Sequence, residues 1–124
     1  MTKRFKQNIR NILDATEEEI VSTIEECREE YRALTNSDCV ELGDRAANSK
    51  YLDELDSVME HYELRLARTR SAKKRLENGH FGLCVECGGK IAENRLLARP
   101  DTLFCYDCAS NRERRSRYRV AVTL

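Results

Sequence analysis

No proline and no glycine occurs before Gly43 in this 124-residue chain, and nothing else in the sequence narrows its fold as much. The residues that end helices most readily are missing. Meanwhile apolar or neutral side chains recur at Ile9, Leu13, Thr16, Ile20, Ile24, Cys27, Tyr31 and Leu34. Steps of three and four mark one stripe along an α-helix with near-heptad spacing. The segment 35–43 breaks that rhythm with turn-forming residues. A second stripe runs through Ala47, Tyr51, Leu55, Val58, Tyr62, Leu66, Thr69 and Leu76, and Asn78-Gly79 supplies a stop. Lys73, Lys74 and Arg75 suit the negative C-terminal end of that helix. Two helices of similar length joined by a short loop fold back antiparallel. Residues 1–79 are therefore expected to form a helical hairpin, an antiparallel coiled coil with its tip near 35–46. Its arms would be roughly 45–50 Å long.

Charged side chains make up 35% of the chain and aromatic ones 6%, with no Trp and one Pro. Strand-rich folds draw on aromatic and β-branched residues, whereas a thin hairpin leaves most of its surface wet. The composition therefore fits a mostly α protein. No apolar run nears the ~20 residues of a bilayer span, and the opening MTKRFKQNIRN lacks the apolar stretch of a secretory signal. The expectation is a cytoplasmic protein without membrane contact, whose six Cys are not first read as disulfides.

The 22 basic and 22 acidic side chains cancel, but they are segregated. Residues 1–14 carry four basic against one acidic, residues 15–62 four against fourteen, residues 63–78 six against two, and residues 79–124 eight against five. Folded back on itself, the hairpin would have a positive base and a negative shaft and tip. Acidic faces keep a thin coiled coil soluble, but mixed signs would serve equally well. So lopsided a shaft points to insertion into something positive or metal-bearing.

In residues 80–124, Cys84-x2-Cys87 is followed by Cys105-x2-Cys108. Paired knuckles of this spacing aim four sulfurs at one tetrahedral centre, a strong zinc signature. Gly88 and Gly89 allow the tight turn whose N–H groups can point at thiolates. Four Cys fill the coordination shell, so the metal reads as one structural Zn²⁺ rather than a catalytic one. Disulfides, a redox Cys-x-x-Cys pair and an iron–sulfur cluster are the weaker alternatives. Zinc would also supply folding free energy that the few apolar residues of 80–110 lack. A C-terminal helix follows, with Arg112, Arg114, Arg115, Arg117 and Arg119. Cys27 falls on the seam of the first helix and Cys39 in the tip loop, while His61 and His80 complete no further metal spacing.

The stretch Phe81-Gly-Leu-Cys84-Val-Glu-Cys87-Gly-Gly-Lys-Ile91, continuing through Arg95, Leu96, Arg99 and Pro100 to Cys105-Tyr-Asp-Cys108, closely resembles the zinc finger of the DksA/TraR family. Asp44-Arg45-Ala46 between two long helices is similar to that family's coiled-coil tip, and together these features cover roughly residues 10–115. The resemblance implies a bacterial transcription regulator that binds RNA polymerase directly rather than promoter DNA, and that catalyses nothing itself. In such proteins the coiled coil enters the secondary channel and tip acids act near the active site to alter open-complex lifetime. Carried over by position, Asp44 matches the key tip aspartate, with Arg45 and Ala46 beside it. Glu41 takes the place of a second acid, with a reach longer by one methylene. Some members bind guanosine tetraphosphate together with polymerase through basic side chains near the finger. Arg68 and Arg99 fall at matching places, while Ala109 stands where those members often carry a basic residue. Independently of the resemblance, Gly43-Asp44 reads as an N-cap of the second helix.

Two other classes compete. A nucleic-acid-binding zinc ribbon would set the arginines of the last helix on phosphates, although the acidic shaft would repel a polyanion. A coiled-coil adaptor would dimerise through its stripe, whereas a hairpin that satisfies its own seam is expected to be monomeric.

Overall fold

The structure, a computed structural model, describes the backbone of residues 1–36 and 42–123 and the side chains of residues 1–36 and 48–117. Four helices follow one another: α1 (Lys3–Thr35), α2 (Leu42–Asn78), α3 (Glu93–Ala98) and α4 (Tyr106–Thr123). Among the described residues there is no strand, only an isolated antiparallel bridge between Leu83 and Lys90. The protein is thus mostly α, a helical hairpin followed by a four-cysteine module and a C-terminal helix. No helix among the described residues is long and apolar enough to cross a membrane. The chain forms two compact units, one of Met1–Leu13 with Ser71–Leu124 and one of Asp14–Arg70. Both long helices contribute residues to each unit.

In the unit Asp14–Arg70, three contacts fix the direction of the pairing. Glu17 meets Arg70 at 3.9 Å, Arg28 meets Glu63 at 3.3 Å, and the Tyr51 hydroxyl donates to Glu30. As position rises along α1 it falls along α2, so the helices are antiparallel. The α1 stripe packs as its spacing predicts. Ile20 and Ile24 are buried, and Thr16, Cys27, Tyr31 and Leu34 are half-buried.

The α2 stripe differs from the expectation. Leu55 and Thr69 are buried and Tyr62 and Leu66 half-buried, but Tyr51 and Val58 are exposed, and Leu52 and Met59 take the inward places. From Leu55, positions three and four residues away both border the same face. The adjacent apolar pairs Tyr51-Leu52 and Val58-Met59 therefore offered two registers, and the packed one runs 52, 55, 59, 62, 66, 69. Buried Thr69 gives its hydroxyl hydrogen to the Arg65 carbonyl at 2.9 Å, so its burial leaves no unpaired donor.

The other unit is built round Ile9, Leu13, Ala72, Leu76, Phe81, Cys84, Ile91 and Leu96, with Phe5 and Phe104 partly buried against them. The first turns of α1 thus share a core with the cysteine module. Helix α2 ends as the Asn78-Gly79 pair predicts. Gly79 adopts φ +77° and the His80 N–H reaches back to the Arg75 carbonyl at 3.0 Å, which is the Schellman closure of a helix C-terminus. At the other end of α2, Asp44 is the third helical residue rather than the N-cap read from Gly43-Asp44, because the helix already begins at Leu42.

Candidate metal centre

Two short turns position the four cysteines. In the first, the Cys84 N–H donates to the Gly89 carbonyl at 2.8 Å and the Gly88 N–H to the Cys84 carbonyl at 2.9 Å. Gly88 sits at φ +73°, where a side chain would be strained. The Gly89 N–H points at Cys87 Sγ from 3.4 Å, as the Gly-Gly pair suggested. The second turn is the start of α4. The Ala109 N–H bonds to the Cys105 carbonyl at 3.0 Å, so Cys105 and Cys108 stand three apart on one helical turn. A bond from the Val85 N–H to the Leu103 carbonyl, 2.9 Å, ties the two turns together.

All four Sγ atoms lie within 4.8 Å of one another, and Cys87 Sγ is 3.9 Å from Cys105 Sγ. Zinc–sulfur bonds of about 2.3 Å place tetrahedral sulfurs ~3.8 Å apart, so the spacing suits one ion. None of the four forms a disulfide. Cys84 is buried, Cys105 and Cys108 are half-buried and Cys87 is exposed. Burial opposes a charge on the Cys84 thiol, but hydrogen bonds to backbone at Cys87, Cys105 and Glu86 outweigh it and bring its pKa down to about 6. Cys108 is pushed the other way, first by the hydrogen bond to the Cys105 thiol and then by burial. Thiols this crowded cannot all carry charge unless a cation sits between them. Four soft donors with no open position make this the site of one structural zinc.

Neighbouring side chains hold the centre in ways the cysteine spacing does not announce. Arg95 on α3 donates from Nε to the Phe104 carbonyl at 3.0 Å and from Nη2 to the Thr102 hydroxyl at 3.4 Å. Arg112 lies over the Phe104 ring, 4.4 Å from its centroid, and Arg115 pairs with Glu86 at 3.5 Å. Two arginines of the α4 run therefore brace the module, whereas Arg114 and Arg117 are exposed and the Arg119 side chain lies outside the described residues. Gly82, φ +85°, passes so close to the chain start that an added Cβ would come within 2.9 Å of Met1 Cε.

The remaining predicted residues are placed as follows. Glu41 and Cys39 lie outside the described residues. Asp44, Arg45 and Ala46 are in the first turns of α2, with their side chains outside the described set. Arg68 is exposed on α2 in the unit Asp14–Arg70. Arg99 is exposed at the C-cap of α3, its N–H bonded to the Arg95 carbonyl at 2.8 Å. Ala109 is half-buried after Cys108. The charge segregation follows the compact units. Met1–Leu13 with Ser71–Leu124 holds 15 basic against 6 acidic side chains, net +9, and Asp14–Arg70 holds 7 against 16, net −9.

The prokaryotic dksA/traR C4-type zinc-finger family model matches residues 79–114. The RNA polymerase-binding transcription factor DksA of Escherichia coli K12 is 30% identical over 106 residues, covering 76% of this chain and 69% of that protein. The DksA of Salmonella typhimurium matches to the same extent. An uncharacterized protein of Aquifex aeolicus is 37% identical over 67 residues, and the match takes in 46% of its length, so this chain spans less than half of that relative. Among solved structures, transcription factor DksA2 from Pseudomonas aeruginosa superposes with a TM-score of 0.87 at 27% identity, covering 94% of this chain and 89% of that one.

Proposed function

Because this chain belongs to the DksA/TraR family of C4-type zinc-finger proteins, we propose that it binds RNA polymerase directly and regulates transcription initiation from the secondary channel. The observation that carries this reading is the coincidence of a closed four-thiolate centre with the fold of DksA2 along nearly the whole chain. The metal-fixed module and the base of α1 provide a rigid, cationic body suited to gripping the polymerase surface. The acidic helical pair is suited to a channel, where the carboxylates of Glu41 and Asp44, flanked by Arg45 and Ala46, act near the polymerase centre on its Mg²⁺ or on basic groups round it. Four thiolates leave zinc no position for water or substrate, so the chemistry remains the polymerase's. In this reading the protein works as a cytoplasmic monomer, with Arg68 and Arg99 as the contacts offered to guanosine tetraphosphate in the polymerase complex. A pull-down with RNA polymerase, competed by another secondary-channel factor, tests it. Binding that the competitor displaces supports the reading. Binding that it leaves untouched, or none, overturns it, and a steeply salt-dependent affinity for duplex DNA in its place would favour the zinc ribbon.

A further inference from the structure

Away from the metal centre, α1 and α2 line an open depression of about 260 Å³ with Lys3, Lys6, Gln7, Arg10 and Leu76. The whole lining belongs to the unit Met1–Leu13 with Ser71–Leu124. The four polar residues fall at i, i+3, i+4 and i+7 on α1, so they occupy one helical face, and buried Leu76 supplies an apolar floor. Lys3, Lys6 and Arg10 are exposed. No acid lines the depression, and none of the three cations enters an ion pair among the described residues. Gln7 donates from Nε2 to Asn11 Oδ1 at 3.1 Å, which leaves its own oxygen to accept. Nor does the first turn of α1 contain an acidic residue to offset the lysines. Three like charges on one face repel one another, and a compact anion seated between them converts that repulsion into attraction.

We propose that this groove binds a small oligophosphate, two linked phosphates being the recognised group. A single monovalent anion satisfies one cation, whereas a diphosphate offers several charged acceptors at once, matched to two ammonium groups and a guanidinium fork. The shared chemistry comes either from free pyrophosphate or from the diphosphate of a nucleotide. The site uses none of the zinc ligands and none of the residues assigned to the tip or to alarmone contact, and although it lies on the base of α1 that the proposed function sets against polymerase, binding to the free protein tests it separately.

Calorimetric titration of the full-length, zinc-loaded protein tests it, with inorganic pyrophosphate, a nucleoside diphosphate and sulfate as separate ligands. Saturable one-to-one binding of pyrophosphate or nucleoside diphosphate, stronger than that of sulfate, is expected, and the tighter of the two identifies the source. Lys3→Gln with Lys6→Gln should weaken it about tenfold or more. Lys90→Gln, which removes an exposed cation elsewhere in the same unit, should leave it unchanged. Circular dichroism and zinc content check that each variant is folded. Absence of saturable binding below roughly 5 mM overturns the proposal. So does equal weakening by Lys90→Gln, which would mean a response to net charge alone. A single-stranded oligonucleotide or an acidic peptide that binds the groove and that pyrophosphate cannot displace would overturn it too, in favour of a macromolecular partner.

Discussion

Arg95 gives its Nε–H to the Phe104 carbonyl and reaches the Thr102 hydroxyl, and that hydroxyl also donates to the Phe104 carbonyl at 3.1 Å. One guanidinium therefore holds the chain that leads into Cys105, a geometry that an ammonium group cannot reproduce. Arg95→Lys is expected to lower the stability of the module by about 1–3 kcal/mol, the usual worth of hydrogen bonds from a charged donor. Its zinc should pass more readily to a chromophoric chelator, and retention equal to wild type would show that Arg95 does not brace the centre. Gly79 poses a simpler question. A Cβ there would meet no atom within 4 Å, so only the backbone at φ +77° resists it. Gly79→Ala should cost about 1 kcal/mol and Gly79→Asn less, because Asn tolerates the left-handed region. Thermal or denaturant unfolding of the pair measures this ordering.

Among the elements, α2 turns on which apolar residues face inward. Met59 is half-buried and Val58 exposed, so Met59→Ala should cost about 1–3 kcal/mol while Val58→Ala stays within about 0.5 kcal/mol. Equal costs in denaturant unfolding would mean that the seam runs through Val58 after all. The contrast with α1 shows how far periodicity can be read. Every stripe residue of α1 is buried or half-buried, and where apolar residues stand side by side there, at Ile12-Leu13 and Ile20-Val21, both members are at least half-buried, so neither is lost from the seam. On α2, two apolar residues stand side by side at 51–52 and again at 58–59, and only the partner helix chooses between them. The metal centre was legible for a different reason, since four ligands at fixed local spacing need no partner to be recognised. Arg95, Arg112 and the packing of Phe5, Ile9 and Leu13 with the module were not, because long-range contacts leave no period in the chain. The module itself holds no strand and few buried residues, and zinc supplies folding free energy of order 10 kcal/mol. Chelation should therefore collapse residues 80–110, removing their amide protection from hydrogen exchange. The amides of the Asp14–Arg70 helical pair, which shares none of these ligands, should keep theirs. Protection retained in both units would mean that the module folds without metal.

At the scale of the whole molecule, the proposed function gives holding to the cationic unit and acting to the acidic one. Fifteen basic against six acidic side chains in one unit, and seven against sixteen in the other, make the two chemically unlike surfaces. If the cationic unit supplies most of the grip on polymerase, affinity should fall as salt rises, through screening of exposed charges. The acid at Asp44 would contribute little to that affinity and much to its consequence. Asp44→Asn removes one negative charge and keeps the side chain's size. At the third position of α2, the change weakens the attraction between a carboxylate and the helix dipole, worth about 0.3–1 kcal/mol. The variant is therefore expected to fold, retain zinc and bind polymerase nearly as wild type does, yet lose its effect on initiation. An in vitro initiation assay run beside a binding measurement reads the two quantities separately. Loss of both together would make Asp44 an anchoring residue, and full retention of the transcriptional effect would move the active group away from the start of α2.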